Sequence, residues 1–201
     1  MPCEWVFSYP MFRDLEAGQT AFTGLAAHRG FTANLATGSG TRAGDGLLVS
    51  GQYFEVLGLR PALGRLLAPA DDRVIGESRA VVLRHEYWLN QFGGDDGVVG
   101  DTLIVNGQPL TIVGVAPAGF SGTTVGVRPD VFVPLTLRWL LDPTMPREQA
   151  ENRLSYWLYL FGRLRPDVSM EQAAVSLNAL YRGIINDVEA PPAPAACSRR
   201  A

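Results

Sequence analysis

The alternation of apolar and polar positions is clearest between Thr102 and Val115. Two strand-forming runs, Leu103-Ile104-Val105 and Leu110-Thr111-Ile112-Val113, flank Asn106-Gly107, a dipeptide that readily takes the positive φ angles of a type I′ hairpin turn. The turn predicts the pairs Val105–Gln108, Leu103–Leu110 and Thr102–Thr111. One face then carries Leu103, Val105, Leu110 and Ile112; the other carries Thr102, Ile104, Thr111 and Val113. Pro109 falls opposite Ile104 at a non-hydrogen-bonded pair, where its missing N–H removes no bond inside the hairpin. The hairpin is a platform, because no residue in it is a good nucleophile or base.

Other elements are predicted around it. Ser8 caps a helix through Ala17, with Pro10 in its first turn, Phe12 and Leu15 on one face and Gly18 as the stop. Leu25 to Leu35 reads as a strand, 37–40 as a turn and Leu47 to Ser50 as a second strand. Gly51 to Leu57 reads as a short helix stopped by Gly58 and Pro61. The stretch 61–72 has no period and is expected to be irregular. Ala80 to Leu83 is a short buried strand, His85 to Phe92 a helix closed by Gly93-Gly94, and 119–126 a glycine- and threonine-rich loop. Asp130 to Leu135 is a strand ending near Pro134. Leu137 to Leu141 begins a helix, and 142–152 is a loop or broken helix. Tyr156 to Phe161 is apolar on both faces, the pattern of a central strand. A turn at Arg165-Pro166-Asp167 leads to Ser169-Met170-Glu171-Gln172, a capping box. Beyond it Met170, Ala173, Ala174, Leu177, Leu180, Ile184 and Ile185 form a helical stripe. The Ala- and Pro-rich end, 189–201, reads as a disordered tail.

Composition narrows the function. The 201 residues are 47% hydrophobic, enough for a real core. The net charge of -3 offers no broad basic surface, so nucleic acid is not an expected partner. All 17 basic residues are Arg, which removes Schiff-base lysine chemistry and any P-loop lysine. Cys3 and Cys197 lie near opposite ends; they either form a terminal disulfide or, the favoured reading, remain two free thiols. The N-terminus lacks a basic region followed by a long apolar one, so no signal peptide is expected. No apolar stretch approaches the roughly 20 residues of a membrane span.

The candidate chemistry is thin. His85 and Glu86 with Asp71 and Asp72 match no ligand spacing, and adjacent helical residues point apart. His28 sits in a predicted strand without a partner in sequence and reads as a core or surface histidine. Gly119-Phe120-Ser121-Gly122 stops short of a nucleophile elbow, because position 123 is Thr. Gly114 to Gly126 holds neither a P-loop nor a dinucleotide fingerprint. The pairs Asp14/Glu16 and Asp95/Asp96 resemble ordinary surface carboxylates. Trp5, Trp88, Trp139 and Trp157 suit either a binding groove or, the favoured reading, the core. No catalytic, cofactor-binding or metal-ligating residues are expected, and no cofactor.

An ordered set of short motifs carries a family resemblance. Phe7 to Leu15, Phe22 to Ala27, Val49 to Gly58 with Pro61 to Arg65, Gln91 to Asp95, Val98 to Gly100, the Asn-Gly hairpin, Val113 to Pro117, Asp130 to Leu135 and Gly162 to Pro166 together resemble a MacB-like periplasmic core domain. The pattern spans about residues 7–186 and looks closest to unpaired, duplicated bacterial permeases. The resemblance implies an α+β fold: a porter-like α/β lobe at about 8–60 and 128–188, with an inserted β-rich, sabre-like lobe at about 61–127. It further implies a non-catalytic extracytoplasmic domain of an ABC transporter permease on the periplasmic side of the bacterial inner membrane. Its partners would be the permease transmembrane helices, a cytoplasmic ATPase subunit, and periplasmic or outer-membrane proteins. The permease would supply a membrane helix before residue 7 and three after residue 186. A free-standing ligand- or protein-binding module using the groove between lobes is the alternative. A hydrolase ranks third, for want of a convergent acid–base site.

Overall fold

Ser8 begins the first helix as the sequence predicts: its Oγ accepts the Met11 N–H at 3.3 Å, and helix α1 runs Tyr9–Gly18 with Met11, Phe12 and Leu15 buried. The computed structural model describes residues 6–38, 40–124, 126–142 and 144–189; Trp5, both cysteines and the tail from 190 lie outside the described residues. Strands β1 (Phe22–Thr37) and β2 (Gly40–Val49) follow, then helix α2 (Tyr53–Leu57), closed by Gly58 at φ 70°. The stretch read as irregular holds the two-residue strand β3 (Leu63–Gly64) and a short 3-10 turn at Pro69–Asp72. Next come β4 (Ala80–Leu83), α3 (His85–Phe92) and the hairpin strands β5 (Thr102–Val105) and β6 (Gln108–Val115). After the hairpin come β7 (Val131–Pro134), α4 (Arg138–Leu141), β8 (Tyr159–Leu164) and α5 (Met170–Ile184), which runs on into a π-helical turn at Ile185–Glu189.

The hairpin has the predicted register, with Val105 opposite Gln108, Ile104 opposite Pro109, Leu103 opposite Leu110 and Thr102 opposite Thr111. Asn106 and Gly107 take φ 48° and 78°, and the face of Leu103, Val105, Leu110 and Ile112 is the buried one, each residue at most 1% exposed.

Among the described residues, six strands pair in a closed ring, β1–β2–β7–β4–β6–β5 and back to β1. The β2–β7 and β4–β6 pairings are parallel and the other four antiparallel. Strand β8 joins the N-terminal half of β1, and β3 joins β6. Strand pairing ties the segment 61–127 to the rest of the chain. Its β4 pairs with β7, and its β5 with β1 at Leu35 and Ala36. Alternate residues of β2, β4 and β7 enter two different cores. Leu48, Val81, Leu83, Val131 and Val133 face the larger one with α1 and the hairpin. Leu47, Val49, Val82 and Phe132 face the smaller one with Tyr53 and Phe54 of α2. Burial on both faces is why these strands read as unbroken apolar runs.

Three expectations need correction. Tyr156 to Phe161 is not a central strand: β8 is an edge strand paired only with β1 among the described residues. It is apolar on both faces because Leu160 packs on the larger core and Phe161 on the smaller. The stripe of α5 is narrower than predicted. Ala173 and Ile184 are buried and Leu177, Leu180 and Tyr181 pack on the core, while Met170 is 67% exposed and Ala174 is exposed. Ala174 stands about 100° round the helix from Ala173 and so turns away. Finally, β2 begins at Gly40 rather than Leu47. From Gly40 to Asp45 this strand forms an arm that is exposed apart from half-buried Gly44, so it shows no apolar alternation to read, while the facing Ala33 and Leu35 of β1 are buried.

Candidate functional site

The long strand β1 changes partners along one edge. Its other edge is taken by β2, from His28 opposite Val49 to Thr37 opposite Gly40. On the edge in question, β8 pairs only as far as His28 and β5 only from Leu35. The gap arises because the chain before β8 turns to the N-terminus instead: Phe7 N–H donates to the Leu158 carbonyl at 2.9 Å, and Trp157 N–H donates to the Phe7 carbonyl at 3.0 Å. The turn residue Asn106 fills part of the gap. Its Oδ1 accepts the Asn34 N–H at 2.7 Å, and its Nδ2 donates to the carbonyls of Thr32 at 3.3 Å and Leu141 at 3.1 Å. Strand alternation points the N–H and C=O of Gly30 and the N–H of Thr32 to the same side. No hydrogen bond reaches any of these three groups among the described residues.

A cleft of about 430 Å³ opens over this bare edge, lined by Arg29, Gly30, Phe31, Thr32, Leu48, Asn106, Arg138, Leu141, Asp142 and Trp157. The Arg138 guanidinium lies 3.8 Å from the Trp157 ring centroid, and that of Arg29 lies 5.5 Å from the Tyr159 centroid. Both arginines are half-buried, and neither forms an ion pair among the described residues. Burial lowers the pKa of Arg138 and the Arg29 charge adds to that, while Asp142 opposes it. The Asp142 carboxylate is itself turned to Thr144, accepting from its N–H at 3.0 Å and its hydroxyl at 2.6 Å. The cleft can hold an anion, through cations already resting on aromatic faces.

The residues weighed from sequence do not converge. Asp71 holds Arg65 by two hydrogen bonds of 2.6 and 2.9 Å and also accepts from Ala68 N–H and Ser78. Burial raises its pKa, but those donors together keep it below the usual carboxylate value. Asp72 is buried apart, accepting the Thr136 N–H at 2.9 Å. Glu86 binds Arg84 and the Gly119 N–H, and the His85 ring packs edge-on to Trp88. No group of three His, Cys, Asp or Glu is placed to hold a metal ion among the described residues. His28 is a core histidine, 7% exposed and ringed by Tyr53, Tyr159 and Phe161; burial, with Arg29 adding, lowers its pKa to about 4. Of the tryptophans, Trp157 is buried, Trp139 packs between it and Tyr9, and Trp88 donates to the Asp95 carbonyl at 2.8 Å. Asp14 pairs with Arg153 at 2.7 Å, and Asp95 accepts the Gly97 N–H at 2.8 Å. Arg29, Arg138 and the side chain of Asn106 were missed. The signal available was a single Arg in each of two largely buried stretches, Ala26–Phe31, where it follows His28, and Leu135–Leu141.

The profile of the MacB-like periplasmic core domain matches residues 6–180. The chain belongs to that family. Among solved structures, the MacB-like fold recurs in the periplasmic region of MacB from Actinobacillus actinomycetemcomitans, at 20% identity and TM-score 0.69, covering 92% of this chain and 77% of that one. A domain described as part of a permease from Porphyromonas gingivalis shares 18% identity at TM-score 0.62, covering 88% and 70%. The extracellular domain of the noncanonic ABC-type transporter YknZ from Gram-positive bacteria shares 15% at TM-score 0.57, covering 87% and 83%. No protein among the curated sequences matches. Like a MacB-like periplasmic domain, the chain has mixed helix and sheet, and no described helix is long and apolar enough to cross a membrane.

Proposed function

We propose that this chain is the extracytoplasmic part of an ABC transporter permease, that it catalyses nothing itself, and that it passes ATPase-driven motion to substrates or partner proteins outside the membrane. Membership of the MacB-like periplasmic core domain family carries the reading. The packing of the two described ends supports it. The Phe7 ring meets Tyr181 edge-on at 6.1 Å, and α1 lies against α5, so both ends of the domain leave from one pole. Membrane helices attached to each end would then drive the same point. The partners are the permease helices, a cytoplasmic ATPase subunit and periplasmic or outer-membrane proteins, on the periplasmic side of the inner membrane. In this reading the inserted β-rich lobe, 61–127, and the outer α/β lobe, 8–60 and 128–188, move together, since strand pairing joins them.

The test places residues 6–189 as the extracytoplasmic segment of a MacB-like permease, reconstituted in nanodiscs with its ATPase. A fluorophore on Thr41, at the exposed arm, is expected to change its environment between ATP-bound and ADP-bound states. An assembled, ATP-hydrolysing permease whose label ignores the nucleotide state overturns the relay. A ligand-binding module is the second reading, favoured by the arginine-lined cleft.

A further inference from the structure

We propose that the cleft at the gap in β1 is a docking site for an extended peptide segment bearing a carboxylate, with its backbone paired to Gly30 and Thr32 and its carboxylate held between Arg29 and Arg138. Three independent observations meet there. The unpaired N–H and C=O of Gly30 and the N–H of Thr32 are spaced two residues apart on one strand edge, the array that an added strand satisfies. Two guanidiniums without an ion pair face a single carboxylate, Asp142, that is already committed to Thr144. The Arg138 guanidinium rests 3.8 Å from the Trp157 ring centroid, a stacking contact that leaves its N–H groups available for two-pronged carboxylate recognition. A small inorganic anion would satisfy the charge but leave the strand edge bare. Asn106 closes one end of the gap, so the segment is short.

The probe is the tetrapeptide N-acetyl-Thr-Val-Thr-Val with a free C-terminal carboxylate, titrated calorimetrically into the purified 201-residue chain. Three controls accompany it: the same peptide as its C-terminal amide, a version N-methylated at alternate residues, and inorganic phosphate. The free acid is expected to saturate, with the amide and the N-methylated peptide weaker by about tenfold or more. Arg138→Gln and, separately, Arg29→Gln are expected to bring the acid down to the level of the amide. Each variant is checked for an unchanged melting temperature, and the pair guards against one failing to fold. Equal binding of acid and amide, or no binding, overturns the proposal. Phosphate displacing the acid while N-methylation has no effect also overturns it, in favour of a simple anion site. Because the readout is binding by the isolated chain, its failure leaves the relay of motion untouched.

Discussion

At Gly114 an added Cβ would sit 2.6 Å from the Leu63 carbonyl oxygen and 2.7 Å from the Arg65 nitrogen, where β3 crosses β6. Both neighbours are backbone and cannot swing aside. Gly114→Ala is therefore expected to destabilise by about 3 kcal/mol, the upper part of the overpacking range. Gly183, inside α5, has nothing within 4 Å of the same position. Gly183→Ala should stabilise by about 0.5–1 kcal/mol, because Ala is the better helix former. Urea midpoints of the two variants should move in opposite directions.

Two buried ionisable residues set opposing pH dependences. Burial lifts the Asp72 carboxyl to about 7, against the hydrogen bond from Thr136 N–H. Between an unfolded value near 4 and the folded value, the native state holds the extra proton, so the contribution of Asp72 falls as pH rises from about 4 to 7. His28 runs the other way. Its folded pKa of about 4 lies below an unfolded value of about 6.5, so the unfolded chain takes the extra proton and stability rises with pH across that window. The two contributions oppose each other across the window they share. Asp72→Asn, which keeps an oxygen for Thr136, should unmask a rise with pH. His28→Gln should unmask a fall. Each slope integrates to on the order of 3 kcal/mol between pH 4 and 7. Urea titrations across that range test this, and flat profiles in both variants would refute it.

Among the elements, Asn106 has two separable duties, and each has its own variant. Asn106→Gly keeps the positive φ of the turn but gives up the side-chain bonds to Asn34, Thr32 and Leu141, an expected cost of about 1–2 kcal/mol. Asn106→Ala loses the same bonds and forces a Cβ into the left-handed region, about 1–2 kcal/mol more. Faster hydrogen exchange at the Asn34 amide should accompany both. The contrast shows what was legible in the sequence. The turn geometry, the register and the division of the hairpin into two faces all follow from neighbours in the chain, as does the capping box in which Ser169 N–H donates to Gln172 Oε1 at 2.8 Å. The second duty depends on β1 and α4 arriving beside the turn, and nothing local announces that. The same limit explains β8. Its apolar faces report burial correctly but not which edges find a partner. The cleft is invisible for a related reason: Arg29 of β1 and Arg138 of α4 line it together only once the chain has folded.

For the molecule as a whole, ring closure decides how it comes apart. Strands β4 and β5 lie in the segment 61–127, yet β4 pairs with β7 and β5 with β1, so opening that segment breaks strand hydrogen bonds of the rest. The larger core likewise draws on both, packing Val81, Leu103 and Ile112 against Phe12, Leu48 and Val133. Separating the parts at Pro61 and Val127 would expose that core and leave strand edges bare. Thermal unfolding is therefore expected as one transition, with calorimetric and van't Hoff enthalpies in agreement. Amide exchange in β4 and β6 should be as protected as in β2 and β7. Two transitions, or an inserted segment that exchanges through its own opening, would mean that the two-residue link between β1 and β5 is too weak to hold the ring closed. That outcome would also change the proposed relay, because motion delivered at the pole of Phe7 and Tyr181 would then be absorbed at a hinge. A single transition supports a body stiff enough to carry it to the exposed arm.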